Sequence, residues 1–256
     1  MSKTTAIYKH ELKYYFQSVT AYITIGMFLL IAGYFFYNIL SFYNLLSFQA
    51  SRNPVIMEGL NLTDGLLRPL FSNISIVILL LLPLLTMRLL AEEKKQGTFE
   101  LLLTYPVRDA EAIAGKFLAA VTTYAVMLAC TLLYPLLLAI FSDPEPGPIF
   151  SGYLGLFLMG CTFISIGTFF SSLTSNQLVA GVTSFGVGLL FLIIGWAAPF
   201  VGPRFAGMLG QFSLLQHFES FSKGIIDTQD ISYYLFMTLF FLFLTLRSLE
   251  STRWRS

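Results

Sequence analysis

Six stretches of the chain are almost wholly apolar, and the polar residues collect between them. The first runs from Thr20 to Phe42. The second runs from Leu70 to Leu90, with Pro83 inside it. The third covers Phe117 to Phe141, with Pro135 near its far end. The fourth covers Phe150 to Leu173, the fifth Leu178 to Val201, and the shortest Ile231 to Leu246. A helix that crosses a bilayer needs about 20 apolar residues at about 1.5 Å rise each. Lipid offers no partner to a free N–H or C=O, so these runs are expected to be helices. A membrane β-barrel would instead show short alternating strands, and the sequence has none. No run carries a charge at its middle. The expected fold is an all-α membrane protein, one transmembrane domain over residues 1–256 with six transmembrane helices.

Three segments outside the runs keep a helical pattern. In residues 6–19, Tyr8, Leu12, Tyr15, Phe16 and Val19 share one face, while Lys9, Lys13 and Gln17 fall elsewhere. This predicts an amphipathic helix lying in the membrane interface before the first span. Between spans two and three lies the most charged stretch, Arg88 to Arg108. Gly97 is expected to break the helix that extends span two. Thr98 stands at an N-cap position and Glu100 in the first turn of a short second helix, where negative charge suits the helix dipole. Pro106 ends that helix, and Asp109 is expected to cap the one that leads into span three. Phe99, Leu101, Leu102, Leu103 and Tyr105 are too apolar for a free loop and must pack on the bundle or a partner. Between spans five and six, Leu214, Leu215, Phe218, Phe221 and Ile225 share a face. Gly224 allows a turn, and Asp230 is expected to cap span six. His217, Glu219 and Lys223 are then expected to face water.

Small residues mark faces where helices meet closely. Ala180, Ser184 and Gly188 are spaced by four in span five; Gly160, Gly167 and Ser171 mark span four. The first set is the candidate helix-packing face, within the chain or across a dimer.

Composition sharpens the membrane reading. Of 256 residues, 56% are apolar, 16% aromatic and 11% charged, whereas a soluble domain carries about 25% charged residues. There is too little polar surface to cover a water-soluble globule. The net charge of +1 gives no sign of a nucleic-acid partner. Cys130 and Cys161 both lie in apolar runs, with neither a disulfide framework nor metal-ligand spacing. The first twenty residues are mixed and charged, unlike a cleavable signal peptide. With six spans, one side holds Lys3, Lys9, Lys13, Arg88, Lys94, Lys95, Arg108, Lys116, Arg247, Arg253 and Arg255; the other holds Arg52, Arg68, Arg204 and Lys223. This asymmetry predicts both termini in the cytoplasm.

The chemistry of an enzyme is missing. Ionisable groups at membrane depth, which mark ion-coupled carriers and intramembrane enzymes, are absent from the run centres. Neither His-Glu-x-x-His nor Gly-x-Ser-x-Gly occurs. Gly115-Lys116 lacks the upstream glycine and the following Ser or Thr of a P-loop. No catalytic residue and no metal ligand is assigned; if the chain moves something against a gradient, the energy must come from another chain.

Three stretches carry a family resemblance. Ala91-Glu-Glu-Lys-Lys-Gln-Gly-Thr-Phe-Glu-Leu-Leu-Leu-Thr-Tyr-Pro-Val-Arg108, ending at Gly115-Lys116, resembles the signature loop of ABC-2-type transporter permeases. Glu11-Leu-Lys-Tyr-Tyr-Phe-Gln-Ser-Val-Thr-Ala-Tyr22 is similar to the family's interfacial elbow helix. His217-Phe-Glu-Ser-Phe-Ser-Lys-Gly-Ile-Ile-Asp227 resembles the outer segment of a subgroup associated with gliding motility and nitrous-oxide-reductase copper-site maturation.

The resemblance implies a permease subunit, an exporter, in a bacterial inner membrane. It implies a separate ABC ATP-binding subunit holding ATP and magnesium, and a second permease subunit in a homo- or heterodimer within the lipid bilayer. Glu92, Glu93, Gly97, Thr98, Phe99, Glu100 and Leu101 would lie on or beside a cytoplasmic coupling helix that docks on the ATPase. The loop with Ser172, Thr174 and Asn176 would make a second contact. Spans one, two and five would face a conduit between the two permeases. The alternative is a non-transporting membrane module that transmits ATPase motion to an outer-side accessory protein or to lipid.

Overall fold

The computed structural model describes residues 3–50, 61–97, 108–142 and 144–253. These form helices, and no strand occurs among the described residues. Helix α1 spans Lys3–Gln17 and α2 spans Val19–Ala50. A π-turn, Thr63–Leu67, leads into α3, Arg68–Thr86, and a short helix α4 covers Ala91–Gln96. Then come α5, Asp109–Thr131, and its continuation α6, Leu133–Phe141. Helices α7, Pro146–Leu173, and α8, Gln177–Ile193, follow. A 3₁₀ segment, Ile194–Phe200, precedes α9, Pro203–Phe212, α10, Leu214–Ser222, and α11, Thr228–Arg253.

Six helical stretches are long and apolar enough to cross a membrane: Val19–Ala50, Thr63–Gln96, Asp109–Phe141, Pro146–Leu173, Gln177–Ala198 and Thr228–Ser251. All six begin before the expected runs, because capping and polar end turns extend a helix beyond its apolar part. The first also runs on to Ala50, past the expected Phe42.

Burial divides the spans into two kinds. Within their most apolar windows, 72% of the second and 61% of the fourth are buried, against 22% to 33% in the other four. Helices α3 and α7 therefore form the centre, and α7 touches α3, α5, α8, α10 and α11. Glycines on α7 make this possible. A Cβ on Gly152 would stand 2.3 Å from the Phe71 ring, and one on Gly160 would stand 2.1 Å from Tyr124. Each glycine is thus a seat for an aromatic ring from a neighbouring helix.

Tyrosine hydroxyls tie the same helices together. Tyr124 Oη donates to the carbonyl of Leu156 at 2.6 Å, Tyr153 Oη to Thr131 at 2.8 Å, and Tyr134 Oη to Leu29 at 3.1 Å. A helical carbonyl keeps a second lone pair, so it can accept such a bond without losing its own ladder.

The N-terminal helix departs from its expected limits. It begins at Lys3 and ends at Gln17, and Ser18 separates it from α2. Ser18 Oγ accepts from the N–H of Thr20 at 3.3 Å, which starts the new helix. Val19 therefore belongs to α2, and it is exposed. The expected apolar face is otherwise kept. Tyr15 is buried, and Tyr8, Leu12 and Phe16 are half-buried, while Lys9, Lys13 and Gln17 are exposed. Helix α1 lies on α5, where Ile7 and the carbonyl of Thr4 close over Gly115.

Candidate functional site

One end of the bundle, called proximal below, holds the Glu11–Lys116 and Ser248–Ser172 contacts. Helix α3 stops there at Thr86. Pro83 has no N–H to give Leu79, and Thr86 Oγ1 donates to the carbonyl of Leu82 at 3.0 Å. Residues 87–90 then form a turn. The fully buried Ser171 of α7 satisfies this turn. Its Oγ accepts from the N–H groups of Leu90 at 3.1 Å and Ala91 at 3.0 Å, and donates to the carbonyl of Met87 at 3.1 Å. The helix extending span two is thus interrupted before Gly97. Gly97 itself ends α4 with φ of 70°, the left-handed conformation that favours glycine.

Helix α4 has Glu92 and Glu93 in its first turn and Lys94 and Lys95 in its last, the order that suits the helix dipole. Tyr14 Oη donates to Glu92 Oε2 at 3.4 Å, and Gln96 Nε2 to Glu92 Oε1 at 3.3 Å. Burial first, and then the Glu92 carboxylate, hold the Tyr14 phenol above its ordinary range, so it stays a donor. Glu93 Oε1 accepts from Lys116 Nζ at 2.7 Å, and Lys116 Nζ also reaches Glu11 Oε1 at 2.6 Å. A cleft of about 330 Å³ adjoins this group, lined by His10, Tyr14, Arg88, Glu92 and Gln96.

The second segment lies beside the first. Lys94 Nζ donates to the carbonyl of Ser172, and Ser248 Oγ of α11 approaches the same oxygen at 3.5 Å. Thr174 is extended, and its Oγ1 accepts from the N–H of Asn176 at 3.1 Å. Asn176 caps α8 by accepting from the N–H of Leu178 at 3.0 Å. Lys95, Ser175, Asn176, Gln177 and Leu178 line a cleft of about 360 Å³. Glu92, Glu93 and Gly97 therefore share one end of the molecule with Ser172, Thr174 and Asn176. Thr98, Phe99, Glu100 and Leu101 lie outside the described residues, as do the rest of 98–107.

The small residues of span five pack inside the chain. Ala180, Ser184 and Gly188 are buried, and a Cβ on Gly188 would stand 2.7 Å from Leu79 Cδ1. Leu178, Val179, Val182 and Leu190 make the uncovered side of that helix.

Three expectations are corrected. Asp109 does not cap α5; Glu111 Oε2 reaches back to the N–H of Arg108 at 3.1 Å. Asp230 does not cap α11 either; Asp227 Oδ1 accepts from the N–H of Gln229 at 3.0 Å. His217 does not face water. It is 8% exposed, with Nδ1 at 2.6 Å from Asp230 Oδ1 and Nε2 at 3.1 Å from the carbonyl of Gln211. The Tyr233 ring stacks on it at 4.0 Å. Two acceptors and a stacked ring outweigh hydration of one imidazole. Sequence reading also missed Ser171 as a cap and Glu11 with Lys116 as a pair. Each charge was visible, but the partners are 105 residues apart and follow no local period.

Comparison with known families completes the picture. The family model for ABC-2 family transporter proteins matches residues 43–246, most of the chain. The chain belongs to the ABC-2 transporter family. Its members are membrane subunits of ABC transporters and are not themselves catalytic. With its six apolar helices, this ABC-2 protein is a multi-pass membrane protein of transmembrane transport. The matched stretch includes α4, Lys116 and Ser171, while α1 lies before it. No curated protein sequence matches the chain significantly.

Proposed function

We propose that this chain is the permease subunit of an ATP-driven exporter, powered by a separate ATP-binding subunit docked at the proximal end. One observation carries the reading: α4 and the Ser172–Asn176 loop are held side by side by the Lys94 contact and the Ser171 cap. A partner that pushed on this surface would move the ends of spans two, four and five together. Helix α4 leads through Gly97 to Thr98, Phe99, Glu100 and Leu101, the proposed coupling helix. Helix α1 serves as the elbow helix. ATP and magnesium are held by the partner.

The Lys and Arg excess at the proximal end argues that both termini are cytoplasmic, in a bacterial inner membrane. The segment His217 to Asp227 supports membership of the subgroup associated with gliding motility and nitrous-oxide-reductase maturation. A second permease, identical or not, completes the conduit. Helix α3 packs against α2, α7 and α8, yet leaves Ile76, Leu80 and Leu84 uncovered at intervals of four. That stripe is available to a conduit faced by spans one, two and five.

The test is affinity purification of the tagged chain from native membranes, with mass spectrometry of what accompanies it. An ABC ATPase is expected. Glu100→Arg is expected to abolish its recovery while membrane insertion stays intact. Undiminished recovery with that variant would refute the coupling assignment.

A further inference from the structure

We propose that Lys116 is a positioning residue that locks α4 to α1 and to the start of the third span, so that the three move as one body. The proposal rests on the reading of α4 as part of the ATPase contact. Its basis is a buried ion triad. Lys116 is 2% exposed, and its single ammonium is bonded to Glu11 of α1 at 2.6 Å and Glu93 of α4 at 2.7 Å. The two carboxylates are 13% and 25% exposed. Three elements distant in sequence thus share one charge.

The surrounding contacts say which of the three the lock constrains. Helix α1 is already seated on α5, through Ile7 and Thr4 over Gly115 and through Tyr8 Oη to Thr122 Oγ1 at 3.1 Å. Helix α4 is tied on its other side to α7, through Ser171 and Ser172. It therefore stands between two bodies, and Glu93–Lys116 is a bond toward the first. An apolar contact at that point could slide. A buried ion pair resists sliding, because separating it leaves the 2% exposed ammonium with one carboxylate in place of two. The second carboxylate strengthens the constraint. Without Lys116, the Glu11 and Glu93 carboxyls would share the site with no cation between them, and the charged link from α4 to α1 would be lost. Movement imposed on α4 is therefore passed to the elbow helix and to span three.

The experiment uses the permease–ATPase complex in lipid nanodiscs. Cys130 and Cys161 are replaced by alanine, and spin labels are attached at Lys13→Cys in α1 and Gln96→Cys in α4. Distances are measured without nucleotide and with ATP under conditions that block hydrolysis. With Lys116 present, the distance is expected to be the same in both states. With Lys116→Met it is expected to shift between states and to broaden, whereas Lys116→Arg keeps it constant. Glu93→Gln leaves the Lys116–Glu11 pair in place; it is expected to give an intermediate shift and serves if Lys116→Met fails to assemble. A wild-type distance that changes with nucleotide overturns the proposal, as does an unchanged distance in both neutral variants. Failure of the unmodified chain to bind any ATPase is a separate outcome, and it overturns the permease reading instead.

Discussion

His217, expected to face water, is 8% exposed. It stands three residues after Leu214 and four before Phe221, a spacing that puts it on the buried side of α10, and there it is enclosed by Asp230, the Gln211 carbonyl and the Tyr233 ring. Both ring nitrogens face oxygen, Asp230 Oδ1 on one side and the Gln211 carbonyl on the other. The pair is therefore mutually dependent. His217→Phe strands a buried carboxylate and is expected to lower stability by about 2–3 kcal/mol. The measurement is thermal unfolding in detergent. Adding Asp230→Leu should restore part of the loss, since removing both partners costs less than removing one. Equal melting of the single variant and the wild type would dismiss the pair as a stabilising contact.

At the scale of elements, the informative object is the junction from α3 to α4. Two backbone N–H groups and one carbonyl converge on the hydroxyl of Ser171, 80 or more residues away in sequence. Ser171→Ala leaves all three without that partner in a buried site. The expected loss is about 1–3 kcal/mol, concentrated in the turn and α4. Hydrogen exchange should quicken across residues 87–96 and change little in the middle of α7. Uniform change over both segments would mean that Ser171 supports the whole bundle rather than this junction. The same reasoning covers Gly97, whose φ of 70° lets the chain leave α4 sharply. A residue with a Cβ would be strained there.

For the molecule as a whole, the arrangement is two central spans ringed by four lightly buried ones. Helix α2 turns Tyr22, Met27, Leu30, Tyr34 and Tyr37 outward. In a bilayer such faces meet lipid or another subunit, and both are compatible with a family that works as assemblies. Even span number puts the termini on one side, and the Ser248–Ser172 and Lys116–Glu11 contacts bring both ends of the chain to the same end of the bundle. Reporter tags at residue 1 and residue 256 should both read cytoplasm. Signals on opposite sides of the membrane would overturn the six-span count.

The number of spans and the helical class were legible in the residues alone. An apolar solvent forces backbone groups to pair within each segment, and a run of sufficient length then has one solution. The turn at Gly97 and most of the apolar faces of α1 and α10 were legible for a similar reason, since backbone permissiveness and helical period are local properties; Val19 and Ile225 fall outside those helices and are exposed. Partnership is not local. The stripe Ala180, Ser184 and Gly188 announced a close contact, but its spacing names a face and not what lies against it; the tertiary structure supplied α3 and α7. The Ser171 cap, the Glu11–Lys116–Glu93 triad and the His217–Asp230 pair were decided in the same way. Each joins groups brought together by the packing of separate helices, where removal from water makes pairing far stronger than sequence proximity could.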